Sequence, residues 1–211
     1  VTVFHVLPEV ELADDHAIRY ATIGVCLVFM PCAMYFRLRS HTSEKLDRWQ
    51  EGAWILFGLR LGAIPVFVGG LAWLIDPRWM AWSSLPLPSW LRWMGLVLFI
   101  CACLLVVWTF HNLCGNLTDT VVTRKEHFLV TTGPYQYVRH PFYLAFALGV
   151  LAGSLVTANW FLLLTGMIPF AFIVARTRIE EEKLVERFGD EYQDYRRRVG
   201  SFVPRWRGSP E

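Results

Sequence analysis

Gly133-Pro134-Tyr135-Gln136-Tyr137-Val138-Arg139-His140-Pro141-Phe142-Tyr143 stands between a polar segment and a long apolar run that reaches Val174. Gly-Pro opens a turn, and His-Pro holds the residue before the proline extended. Pro141 suits the first position of a helix, where its missing N–H is not needed. The apolar run Phe142–Val174 is broken by Thr157-Ala158-Asn159, and each half is about 15 residues, near the lower limit for spanning a bilayer. The stretch therefore predicts a helical hairpin that goes in at Pro141, turns at Asn159 and comes back out at Ala175. On composition alone, its three tyrosines fit the belt of aromatic residues at a membrane surface.

The rest of the chain supports a membrane protein. Of 211 residues, 55% are hydrophobic and 18% charged, with 10 Trp and 15 Phe. A soluble domain carries roughly 25% charge. Val1 to Arg19 reads as a short leader; its acidic residues Glu9, Glu11, Asp14 and Asp15 and its lack of a basic start do not match a cleavable signal peptide. Tyr20–Phe36 is a first span, bent at Pro31. Ala53–Ile75 is a second, in which Gly58 and Gly62 form a small-xxx-small pair for close helix contact. Arg60 lies about two turns inside that span and reads as a side chain that snorkels to the interface. Pro77, Pro86, Pro88, Trp79 and Trp82 mark an interfacial turn over 76–89, and Trp90–Phe110 is the third span. The hairpin brings the total to about five. The fold class is all-α integral membrane, with an N-terminal set of spans over 1–110 and a second unit over 111–211. In that unit a loop and the C-terminal helices would form a pocket.

Charge placement sets the orientation. Sixteen of the twenty Lys and Arg fall in segments 37–52, 111–141 and 175–211, against three in 1–19 and 76–92. The positive-inside rule puts the first group in the cytoplasm. The central stretch and the charged C-terminal helix then share one side. Arg176 continues directly from a span, where a charge tends to face a polar cavity. Arg176 and Glu180 share a helix face and Glu181 projects about 100° away. A solvated helix with internal ion pairs is the plainer reading. Gly189 ends this helix, Asp190 caps a short one to Arg198, and Phe202–Arg207 reads as a tail on the membrane surface. His127 and His140 lack the spacing of a metal site, and Cys26, Cys32, Cys101, Cys103 and Cys114 read as packing residues. No phosphate-binding glycine motif is present. The Asn116-Leu117-Thr118 sequon falls on the expected cytoplasmic side, where it would not be glycosylated.

The ordered series His127-Phe128-Leu129-Val130, Gly133-Pro134-Tyr135, Arg139-His140-Pro141-Phe142-Tyr143, Arg176-x-x-x-Glu180-Glu181 and Phe188-Gly-Asp-Glu-Tyr192 resembles the isoprenylcysteine carboxyl methyltransferase family. That family lies within a wider group of membrane methyltransferases that includes phospholipid methyltransferases. The similarity covers about residues 111–206. It implies S-adenosyl-L-methionine as cofactor, in contact with Thr120, His127 to Val130, Tyr135, His140 to Tyr143, Glu180 and Glu181. It implies Arg176 beside a substrate carboxylate, and Arg176 and Glu180 as the catalytic pair. The expected partners are a lipophilic or prenylated acceptor and the lipid bilayer, with no nucleic acid and no metal. The membrane would be the inner membrane of a prokaryote or the endoplasmic reticulum of a eukaryote. Three other readings stand beside it: a phospholipid or thiol methyltransferase, a sterol-reductase-like enzyme using NADPH, and a membrane scaffold without catalysis.

Overall fold

The computed structural model describes residues 9–39, 53–113 and 129–205, and all the regular secondary structure among them is helical. The helices are α1 (Glu9–Arg39), α2 (Ala53–Ile75), α3 (Ser89–Leu113), α4 (Pro141–Thr157), α5 (Trp160–Phe188) and α6 (Asp190–Arg198), with short 3-10 turns at Pro77–Ser83 and Gly133–Gln136. Among the described residues four segments are long and apolar enough to cross a membrane: Asp14–Phe36, Phe57–Ile75, Ser89–Leu113 and Trp160–Phe188. The 17-residue α4 is a shorter apolar helix that pairs with α5. This is the all-α integral membrane architecture expected, hairpin included. Leu27, Val28, Leu61, Phe67, Val97 and Leu104 are exposed, as lipid-facing side chains are.

The first helix departs from expectation. Residues 9–19 are not a leader but the opening turns of α1, and Ile18 is fully buried. The reason is local. Asp15 pairs with Arg92 of α3, and Arg19 donates to the carbonyls of Leu74 and Ile75 at the end of α2, so polar side chains extend the helix past its apolar run. Pro31 sits inside the helix, as expected.

Packing follows the small residues. α4 lies between α3 and α5, α2 lies along α5, and α1 along α3. A Cβ on Gly58 would meet the Phe172 ring at 2.3 Å, and one on Gly62 would stand 3.3 Å from the Pro169 backbone nitrogen. The small-xxx-small pair thus brings α2 against α5, as read from the sequence. Gly95 does the same for α3 and α4, where an added Cβ would lie 2.7 Å from that of Leu155.

The hairpin turn is fixed from outside. Ala158 is left-handed at φ 49, and Asn159 caps α5 by accepting from Leu162 N at 3.1 Å. The Asn159 amide donates to Met80 O and Ser83 Oγ, while Leu85 N donates to Ala158 O. Arg92 adds a bond to Val156 O at 3.1 Å. At the other end, α5 runs unbroken from apolar to charged residues and stops at Gly189. Gly189, not Asp190, is the cap residue of α6; Asp190 and Glu191 lie in its first turn, where they complement the helix dipole. Cys114, Asn116 and the connector 40–52 lie outside the described residues.

Candidate active site

The His-Pro sequence starts α4 as predicted, with His140 as the residue before the first turn and Pro141 inside it. Gly133 adopts φ +62, and a Cβ there would strike the Asn112 side chain at 2.3 Å, so the Gly-Pro turn can close on the end of α3. The three tyrosines of the stretch then part ways. Tyr137 is exposed and leans on Trp108, as a belt residue would. Tyr135 is tied through its carbonyl, which accepts from Tyr195 Oη at 2.6 Å, and burial pushes its own phenol up. Tyr143 is buried and stacks flat on His140, with ring centroids 5.3 Å apart and planes within 1°.

Tyr143 and His140 meet the charged end of α5. The Tyr143 hydroxyl donates to Glu180 Oε2 at 2.6 Å, and His140 Nδ1 lies 3.9 Å from the same oxygen. The Glu180 side chain keeps 28% of its surface exposed. Glu181, about 100° around the helix, has a different set of neighbours. Its Oε1 accepts from Arg139 Nε at 3.0 Å and Nη2 at 2.7 Å, and His140 Nε2 stands 3.1 Å away. Arg196 approaches Oε2 at 3.6 Å. Burial pushes the Glu181 carboxyl up, but hydrogen bonds from His140 and Arg139 and the Arg139 charge outweigh it and lower it to about 2. Both oxygens of Glu181 face cationic groups, while Glu180 keeps an exposed side.

The tail completes the arrangement. Arg139 N donates to Gly200 O at 2.8 Å and His140 N to Ser201 O at 3.0 Å, as a parallel pairing of 138–140 with 200–201. Arg139 also reaches the carbonyls of Arg196 and Val199 and the Ser201 hydroxyl, and Phe202 packs on His140. Tyr192 and Tyr195 of α6, with Val199 just after it, form a small core with Leu129, Leu184 and Phe188.

Of the residues expected at the site, His140, Tyr143, Glu180 and Glu181 are in direct contact. Pro141 and Phe142 share the first turn of α4, with the Phe142 ring stacked on Phe110. Leu129 packs under α6, Val130 is half-buried, and Arg176 is half-buried one turn before Glu180. Thr120, His127 and Phe128 lie outside the described residues. Arg139 and Ser201 were not among the expected site residues. Arg139 was visible within the motif, but nothing in the sequence paired it with Glu181. A cleft of about 490 Å³ lies beside this cluster, lined by Val185, Gln193, Arg196, Arg197 and Arg205, and holds none of the residues expected to bind cofactor.

Residues 90–191, which carry this His-Tyr-Glu cluster from α3 to α6, match the phospholipid methyltransferase family. Isoprenylcysteine methyltransferases are among the relatives this chain matches, in line with the resemblance of its motifs. It is 41% identical over 81 residues to a protein-S-isoprenylcysteine O-methyltransferase of Schizosaccharomyces pombe, covering 38% of this chain and 34% of the relative. It is 44% identical over 71 residues to methanethiol S-methyltransferase 2 of Bradyrhizobium diazoefficiens, covering 34% of this chain and 27% of the relative. A solved structure of a eukaryotic intramembrane Ras methyltransferase, isoprenylcysteine carboxyl methyltransferase, superposes with a TM-score of 0.53 at 25% identity, over 69% of this chain and 51% of the other. The chain spans only about a third to a half of the length of the isoprenylcysteine methyltransferases it matches.

Proposed function

We propose that this chain is a multi-pass membrane methyltransferase that takes S-adenosyl-L-methionine as donor and methylates a lipophilic acceptor, preferring an isoprenylcysteine-like carboxylate. The observation that carries the proposal is the contact of Tyr143 and His140 with Glu180, which joins the His-Pro motif to the charged end of α5. The donor set fits a cation: a partly exposed carboxylate stands beside a stacked imidazole and phenol. His140, Tyr143 and Glu180 would hold the cofactor, with Leu129, Val130, Tyr135, Pro141 and Phe142 around it and Thr120, His127 and Phe128 completing the wall. Glu181 serves by fixing His140. We place this end of the bundle in the cytoplasm, on the inner membrane of a prokaryote or the endoplasmic reticulum of a eukaryote.

S-adenosylmethionine supplies an electrophilic methyl group. A carboxylate acceptor is already ionised at neutral pH, so no general base is required. The chain must align the nucleophile and exclude water. Arg176, one turn before Glu180, would take one carboxylate oxygen in its planar fork and leave the other free to attack. A thiol acceptor is the second reading, favoured by the local identity to methanethiol methyltransferase. A thiol must lose its proton first, so its rate would climb with pH towards about 8.5, whereas a carboxylate would not.

The test uses labelled donor with three acceptors: N-acetyl-farnesylcysteine, phosphatidylethanolamine and a small thiol. Methyl transfer to farnesylcysteine is expected. Arg176→Lys keeps the charge but loses the fork, and should cost about tenfold or more in turnover. Glu180→Gln should weaken donor affinity first. A chain that binds NADPH and not the methyl donor is a reductase instead. Full activity in Arg176→Lys would falsify the placement of the acceptor.

A further inference from the structure

The face of α5 that carries Arg176 and Glu180 continues to Lys183. Positions 176, 180 and 183 lie within about 60° of one another around the helix. The bond between Glu180 and Tyr143 fixes the direction of this face, towards the start of α4. Lys183 Nζ is buried and has no hydrogen-bond partner among the described residues. A surface lysine brings its ammonium out to water along its flexible stem. A buried ammonium without a counter-charge is strongly unfavourable.

The neighbouring carboxylates do not supply that counter-charge. Glu180 is turned to Tyr143 and His140. Glu181 is taken by Arg139 and Arg196. Glu182 pairs with Arg178 on the exposed flank. One turn of helix therefore presents a partly exposed carboxylate and a buried ammonium that has no hydrogen-bond partner among the described residues. Residues three apart on a helix have Cβ atoms about 5–6 Å from each other. Two long side chains at that spacing can converge on a single small ligand that carries both charges.

We propose that Lys183 binds a ligand carboxylate, and that Glu180 and Lys183 together receive a zwitterionic α-amino acid group, its ammonium on Glu180 and its carboxylate on Lys183. This rests on the methyl-donor reading, because the donor ends in such a group. Arg176, further up the same face, is left for the acceptor.

The full chain in detergent is titrated by calorimetry with S-adenosylhomocysteine, which keeps the amino acid group, and with methylthioadenosine, which lacks it. Lys183→Met should weaken S-adenosylhomocysteine by about tenfold or more and leave methylthioadenosine unchanged. The same substitution removes an unpaired buried charge, so the thermal midpoint of the ligand-free protein should rise. Lys183→Arg keeps the charge and should retain the preference for S-adenosylhomocysteine; it carries the test if Lys183→Met does not fold, and loss of the preference there overturns the proposal. Equal weakening of both nucleosides, or of neither, overturns it as well. Loss confined to N-acetyl-farnesylcysteine assigns the carboxylate to the acceptor and overturns the donor assignment. A wild-type chain that binds neither nucleoside overturns the methyl-donor reading itself. One that binds both, with Lys183→Met unchanged, overturns this proposal alone.

Discussion

Arg139 places two guanidinium nitrogens on Glu181, reaches two backbone carbonyls of the C-terminal segment and touches the Ser201 hydroxyl. Both members of the ion pair are largely buried, at 6% and 12% side-chain exposure. Breaking such a pair from one side leaves the other charge stranded, at a cost of about 3 kcal/mol or more. Glu181→Gln should therefore lower the thermal midpoint at neutral pH and loosen His140. The pH dependence has a definite sign. The folded carboxyl is lowered from 4.5 to about 2, so its contribution is full above the ordinary range and is lost as pH falls from 4.5 towards 2. Wild-type protein should lose stability across that window, and Glu181→Gln should lose less; equal slopes in a melting series would remove Glu181 from the account. The two glutamates illustrate what a sequence can and cannot carry. Their adjacency, and the angle between them, follow from helical geometry alone. Which one is free and which one is saturated depends on Arg139 and Ser201, and the ties to Glu181 run across 42 and 20 positions of chain.

The α4–α5 hairpin is short, and its stability depends on how closely its neighbours approach. Gly95 is the position where α3 can touch α4, with the Leu155 Cβ and the Val156 nitrogen both within 3.0 Å of a built Cβ. Neither atom is the end of a flexible chain. Gly95→Ala should cost about 1–3 kcal/mol, as overpacking does. Gly149, in α4 with open space around it, is the control: Gly149→Ala should be neutral or raise stability by about 0.5–1 kcal/mol through helix propensity. Melting both variants in one detergent decides the matter, and similar losses would mean that the interface is not tight. The hairpin itself was legible because a polar trio interrupts an apolar run. The Gly58 and Gly62 contact was legible from spacing. Gly95 carries no comparable signal, since a lone glycine in an apolar helix reads the same whether it faces lipid or a partner. The opening turns of α1 were missed for a related reason: Asp15 and Arg19 look like solvent residues until Arg92 and the end of α2 are seen beside them.

Across the whole molecule the two ends of the bundle are built differently. One gathers the turn at 76–88, the Asn159 cap and the Asp15–Arg92 pair; the other gathers the His-Pro loop, the charged end of α5 and α6. Counting α4 as a pass beside the four longer helices, and with the basic residues concentrated at the second end, that end should face the cytoplasm. In a chain freed of its own cysteines, Ser84→Cys and Arg205→Cys should label from opposite sides of sealed vesicles. Labelling from one side would mean that α4 does not cross. The parallel pairing of 138–140 with 200–201 also sets the order in which this corner can close. Gly200 and Ser201 leave the ribosome after α4 and α5, so Arg139 and Glu181 can meet before the strap that lies over them is free to dock. A chain cut back before Gly200 would keep that ion pair and lose the two backbone bonds that hold the start of α4.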